Sequence, residues 1–314
     1  MRTGVRSFAF IGVLIAVSLV ARGAAAYVRA LSDAGYPLSW SSSCEAVTIY
    51  LNGFTEMTPD EVAKSIAGAA AAWGPEQVTC PAATGDGGSG HPYFEILPAL
   101  SSGGSVPRVG IDGKNSIIFQ TTTWDEDPAA VAVTTVFKEP SGNIVDADIE
   151  INATDPGNIP WANLDPGSPP QKNGILRFDL QASMTHEFGH FLGLAHTCIG
   201  SGNDGNDQAL GATDDQGQPV PDCATAGAPQ NQSVMWYVVD AESITKRVLT
   251  ADDARGVCAI YPPGAGLGSC TQNTPDDGCG CAAAGLREGR WAGGALALVA
   301  LAAAHRRRPR HPKR

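Results

Sequence analysis

The sequence has no Cys-x-x-Cys pair, no internal repeat and few basic residues: 21 Lys and Arg stand against 32 Asp and Glu in 314 residues. Each shortage excludes something. Six of the cations fall in the last nine residues (Arg306, Arg307, Arg308, Arg310, Lys313, Arg314), and without them the formal charge of −11 becomes −17. The main body therefore lacks the basic face that neutralises phosphates, which excludes nucleic acid as its partner. Without Cys-x-x-Cys pairs, the eight cysteines read as disulfides formed after export rather than as metal thiolates. With 43% hydrophobic and 17% charged residues, the chain has material for one domain of about 200 residues, or two small ones, plus processed ends.

The apolar run at residues 8–21 is too short to span a bilayer comfortably. It follows Arg2 and Arg6 and precedes Ala24-Ala25-Ala26, the pattern of a signal peptide over residues 1–26 cleaved before Tyr27. An uncleaved anchor is the alternative. The expected location is therefore secreted or at the cell surface.

Residues 46–51 are β-branched and aromatic, end at Asn52-Gly53 and read as a strand. A helix follows, with Thr58 as cap, Pro59 at its first position, Glu61 completing a capping box, and Gly74-Pro75 after Trp73 as its stop. Residues 116–120, 131–137 and 144–151 are further strands, with a weaker one at 93–97, and residues 138–143 have hairpin-turn composition. A Pro-rich loop over 155–170 leads to a second helix from about 176 to 192. A third runs from 251 to about 260, capped by Thr250. The order predicts an α+β domain over 27–263. A Gly/Pro-rich linker over 264–290, containing Cys279-Gly280-Cys281, precedes an apolar segment and Arg-rich tail at 291–314.

The chemistry concentrates in residues 186–196, His-Glu-Phe-Gly-His-Phe-Leu-Gly-Leu-Ala-His. Four residues apart on a helix, His186 and His190 share a face and can offer imidazole nitrogens to one metal, with Glu187 beside them. A helix continuing past Gly193 would carry His196 to the wrong side. Gly193 can take a left-handed conformation and turn the chain back, so that His196 supplies a third nitrogen. Three protein ligands leave a fourth position for water, the arrangement of catalytic zinc. Glu187 is then the general base for amide hydrolysis by that water. A chance match to all five fixed positions is on the order of one in 10⁵ for this composition, so an accidental surface helix is a poor explanation.

This pattern resembles the zinc signature of the metzincin peptidases, and the matrixin branch (the matrix metalloproteinases) most closely. Thr197 is similar to the small hydroxyl residue matrixins carry after the third histidine. Met235 in the 233–237 stretch Ser-Val-Met-Trp-Tyr resembles the methionine turn beneath the metal, and residues 249–261 resemble the final matrixin helix. The resemblance implies a twisted five-stranded mixed sheet with an antiparallel edge strand, three helices and a zinc cleft below the sheet. Substrate would add as a further strand, and residues 131–137, near Asp146 and Asp148, resemble the edge strand that receives it. Tyr237 stands where astacins and serralysins carry a tyrosine that contacts zinc or the developing oxyanion; a buried structural tyrosine is the competing explanation.

Other features depart from matrixins. No cysteine-switch motif precedes the domain, and the loop 121–128 holds no histidine for a second, structural zinc, which His91 alone could not build. Calcium at Asp125, Asp127 or the Asp-rich loop 203–215 stands against plain solvated turns, since EF-hand spacing is not met. Among Cys44, Cys80, Cys198, Cys223, Cys258 and Cys270, the expected pairs are Cys198 with Cys223 and Cys44 with Cys80. The C-terminal segment resembles the myxobacterial type of sorting tail, which implies a membrane sorting protease as partner; a short anchor is its alternative. The expected whole is a monomeric zinc endopeptidase acting on extracellular proteins or peptides. The rival is a catalytically silent adhesion module on the same fold.

Overall fold

The computed structural model describes residues 26–81, 90–154, 159–167, 176–200, 213 and 217–264. The expected signal peptide apart from Ala26, the linker beyond Gly264, the tail at 291–314, and the Asp-rich loop apart from Thr213 lie outside these residues.

The described chain runs β1 (Val28–Arg29), β2 (Cys44–Tyr50), α1 (Pro59–Trp73), β3 (Glu95–Leu100), β4 (Asn115–Gln120), β5 (Ala132–Lys138) and β6 (Ile144–Asn152). It continues through β7 (Trp161–Ala162), β8 (Phe178–Asp179), α2 (Leu180–Phe191), β9 (Leu194–Ala195) and α3 (Ala251–Ile260). Five strands form one sheet in the order β3-β2-β4-β6-β5, parallel except for β5, which runs antiparallel to β6 at one edge. This is the expected α+β architecture. The central strand β4 carries Ile117, Ile118 and Phe119, all buried, because a parallel strand covered on both faces needs apolar side chains on both. At the other edge, β3 extends to Leu100 through Pro98, which an edge strand tolerates because one side of its ladder is unpaired.

Helix α1 has the expected cap: Thr58 Oγ1 accepts from the Glu61 amide, and the Glu61 carboxylate accepts from the Thr58 amide. Its face of Val62, Ile66, Ala69, Ala70 and Trp73 is buried. Close approach to α2 is set by Gly68, where a Cβ would meet the Gln181 side chain at 2.7 Å. The Trp73 indole N–H donates to Thr185 O at 2.8 Å and locks the two helices in register.

Two expectations need correction. Helix α2 begins at Leu180 rather than near 176, because Phe178 and Asp179 pair in parallel with Trp161 and Ala162, and Asp179 caps the helix by accepting from the Ala182 amide at 2.7 Å. Cys80 bonds Cys258, not Cys44: it follows α1 and lies against α3, 178 residues away in sequence. Cys44 is itself disulfide-bonded. The Cys198–Cys223 pair forms as expected.

Candidate metal centre

Helix α2 carries His186, Glu187 and His190 through its last turns. Its end is fixed by side chains from far away: the Trp40 indole donates to Phe191 O at 2.8 Å, and the Tyr261 hydroxyl donates to Leu192 O at 3.0 Å. These satisfy carbonyls the helix leaves without partners. Gly193 then takes φ +99°, the left-handed turn expected of it. A side chain there would also be excluded by space, since a Cβ would lie 2.7 Å from Leu38 O. Beyond the turn, β9 pairs antiparallel with β1, Val28 opposite Ala195, which holds the backbone just before His196. That support from the N-terminal residues had no signal in the sequence.

The three Nε2 atoms of His186, His190 and His196 lie 3.2 Å from one another. Among the described residues they are the one group of three His, Cys, Asp or Glu side chains close enough to share a metal ion. His186 Nδ1 lies 2.7 Å from Val234 O and His190 Nδ1 3.0 Å from Leu194 O. A carbonyl only accepts, so both Nδ1 atoms carry the proton and both Nε2 atoms present lone pairs. Burial lowers the pKa of all three imidazoles, to about 4 for His190, with the Lys246 charge and the neighbouring histidines adding to the effect at His186 and His196. Neutral rings with lone pairs facing at 3.2 Å repel unless a cation lies between them. A point about 2.05 Å from all three nitrogens subtends about 103° between any two, close to tetrahedral, so the donor set fits zinc.

Glu187 is 4% exposed, and burial pushes its carboxyl up to about 7, against the opposing pull of the Thr134 hydroxyl and the Lys246 charge. Thr134 Oγ1, on β5, donates to Glu187 Oε2 at 2.6 Å. Sequence reasoning missed Thr134; alternation along an edge strand does not say which hydroxyl meets a helix 53 residues later.

Met235 is 1% exposed, and a Cβ on Gly189, the residue before His190, would stand 2.1 Å from its Sδ. The glycine inside the motif is thus matched to the methionine of the turn. That turn is held by Asp253, whose carboxylate accepts from the Ser233 hydroxyl, from the Val234 amide at 3.0 Å, and from both the amide and hydroxyl of Thr250. One buried carboxylate therefore caps α3 and anchors the segment whose Val234 carbonyl orients His186. Lys246, also missed from sequence, donates to Val234 O at 2.9 Å and to Trp236 O, bracketing Met235. Burial pushes its ammonium down to about 8.

Tyr237 is 40% exposed, which departs from the buried structural alternative, and its ring stands 6.4 Å from that of His196. Thr197, fully buried, donates its hydroxyl to Gln230 O at 3.0 Å. At the calcium candidates, Asp127 Oδ1 accepts from the Ala129 amide at 2.8 Å and so closes its own turn. His91 Nδ1 lies 2.8 Å from Val78 O, away from the triad.

Comparison with known proteins gives one family match. The model of the peptidase family M43, described as Pregnancy-associated plasma protein-A, matches residues 175–241, from the approach to α2 through the methionine turn. No curated protein matches the chain significantly. A solved structure titled "Structure of myroilysin" aligns over 71% of this chain and 95% of that one, at 14% identity and a TM-score of 0.31, too low a similarity to support a functional comparison. The matched family differs from the matrixin branch the sequence resembles. What the match supports is the broader type: a zinc metallopeptidase of the metzincin kind.

Proposed function

We propose that this protein is a zinc-dependent endopeptidase that hydrolyses peptide bonds of extracellular proteins. The observation that carries the reading is the convergence of the Nε2 atoms of His186, His190 and His196 to 3.2 Å from one another beside the buried carboxylate of Glu187. His186, His190 and His196 would hold the ion. Bound zinc supplies an acidified water and polarises the scissile carbonyl. Glu187 takes the proton of the attacking water and passes it to the leaving amine nitrogen as the C–N bond breaks.

Among the described residues the outer edge of β5 pairs with no other strand, and Thr134 on that strand touches Glu187, so a peptide laid along the edge passes the carboxylate proposed as general base. Main-chain pairing of this kind recognises extended chain rather than a particular sequence. Tyr237, exposed beside His196, is proposed to donate to the oxyanion that forms on the substrate carbonyl. The N-terminal apolar run with its Ala24-Ala25-Ala26 site and the Arg-rich tail support secretion or surface display of a monomer, with a membrane sorting protease acting on the tail.

The test is cleavage of casein by the purified protein beside Glu187→Ala and a chelated sample, with zinc measured by elemental analysis. Activity lost in both controls supports the reading. A zinc-loaded protein that cleaves nothing would favour the adhesion module instead. Within an active enzyme, unchanged turnover of Tyr237→Phe would remove that residue from the mechanism.

A further inference from the structure

We propose that Thr134 is a positioning residue for the general base: its hydroxyl anchors Glu187 Oε2 from the edge strand, so that Oε1 faces the attacking water. The inference rests on the endopeptidase reading of the same site.

Thr134 lies near the start of β5, opposite Ile149 of β6, and its Oγ1 reaches across to α2. The bond to Glu187 Oε2 is 2.6 Å, and the same hydroxyl stands 3.3 Å from Glu187 O. A hydroxyl has one proton, so the shorter contact, to Oε2, is the bond. Among the described residues Glu187 Oε1 accepts no hydrogen bond. The terminal torsion of a glutamate is broad, and an unanchored carboxylate would sample orientations with either oxygen, or neither, toward the histidines. A charge-assisted bond from a fixed strand removes that freedom. The two residues are 53 apart in sequence and on different layers, so the contact couples the sheet edge to the helix that carries the chemistry. Because β5 would pair with substrate through its main chain, replacing the Thr134 side chain leaves those pairing groups intact. The role therefore predicts an effect on turnover separate from binding.

The experiment compares Thr134→Val, which keeps the shape and loses the donor, with Thr134→Ser, which keeps the donor. In Thr134→Val, kcat should fall by roughly 10- to 100-fold, part of the 10²–10⁴ that general-base catalysis supplies, while KM stays within about 2-fold. Thr134→Ser should hold kcat within about 3-fold of the parent. Zinc content and thermal midpoint should match the parent in both. Equal losses in the two variants, or a change confined to KM, would overturn the proposal.

A readout independent of turnover separates this inference from the reading it rests on. The carboxylate infrared band of Glu187, isolated as the difference between parent and Glu187→Gln, should shift when Thr134→Val is introduced into both. A parent that cuts no peptide yet shows this shift would sink the protease reading and leave the contact standing. No shift would sink the anchor itself, whatever the activity.

Discussion

Gly189→Ala gives a sharp test of how the metal centre is supported. An alanine in a helix interior is ordinarily worth about 1 kcal/mol over glycine, so on α2 alone the substitution should stabilise. The structure predicts the opposite. The added Cβ would lie 2.1 Å from Met235 Sδ and 3.0 Å from Met235 Cε and from Trp73 Cζ2, and both side chains are buried. Something must move. Trp73 is tied by its indole to Thr185 O, so Met235 gives way. Overpacking of this kind costs about 1–3 kcal/mol, which after the helix gain leaves a net loss of up to about 2 kcal/mol. For a domain of this size that lowers the thermal midpoint by roughly 4–8 °C. The assay is urea unfolding of the chelated protein in a double-mutant cycle with Met235→Ala. Alone, Met235→Ala should cost about 2–5 kcal/mol as a cavity. In that background Gly189→Ala should become neutral or stabilising, a coupling of about 2–3 kcal/mol. A loss of the same size in both backgrounds would refute the claim that this glycine is there for the methionine.

Three further outcomes follow from the same geometry. Asp253→Ala removes the acceptor of four donors, two of them buried, and should cost about 3–5 kcal/mol in urea unfolding, with weaker zinc retention in a chelator competition because Val234 O is released. Retention equal to the parent would break the proposed link from α3 to His186. Non-reducing peptide mapping should recover Cys80 joined to Cys258. Replacing that pair by alanines should cost about 5 kcal/mol, because the bond closes a loop of 178 residues. Asp148, buried on β6, has its carboxyl pushed up to about 6, first by burial. A carboxyl raised in the folded state stabilises most when protonated, so its contribution is full below about pH 4 and is lost as pH rises to about 6. Asp148→Asn should flatten the fall in unfolding free energy across that window by about 2–3 kcal/mol, and an unchanged slope would contradict it.

Reading the sequence alone located the elements whose signals are local. The caps at Thr58 and Thr250 are set by residues three positions apart, and both helices begin where those residues place them. The start of α2 was misplaced because its boundary depends on a strand pair with residues 161–162, not on its own neighbours. In the same way, the cysteine expected to close across α1 instead reaches α3, since distance in a fold is unrelated to distance along the chain.

The sequence by itself determined the candidate ligand set. Helical periodicity puts His186 and His190 on one face, and only a residue free to adopt φ +99° at position 193 can bring His196 back to them. The tertiary structure alone decided what supports that set. Thr134 on Glu187, Lys246 and Asp253 on the methionine turn, Gly189 against Met235, and β1 paired with β9 join residues brought together from separate parts of the chain. Local pattern carries backbone conformation. Contacts across layers are chosen by the packing of the whole domain, and no short window of sequence contains them.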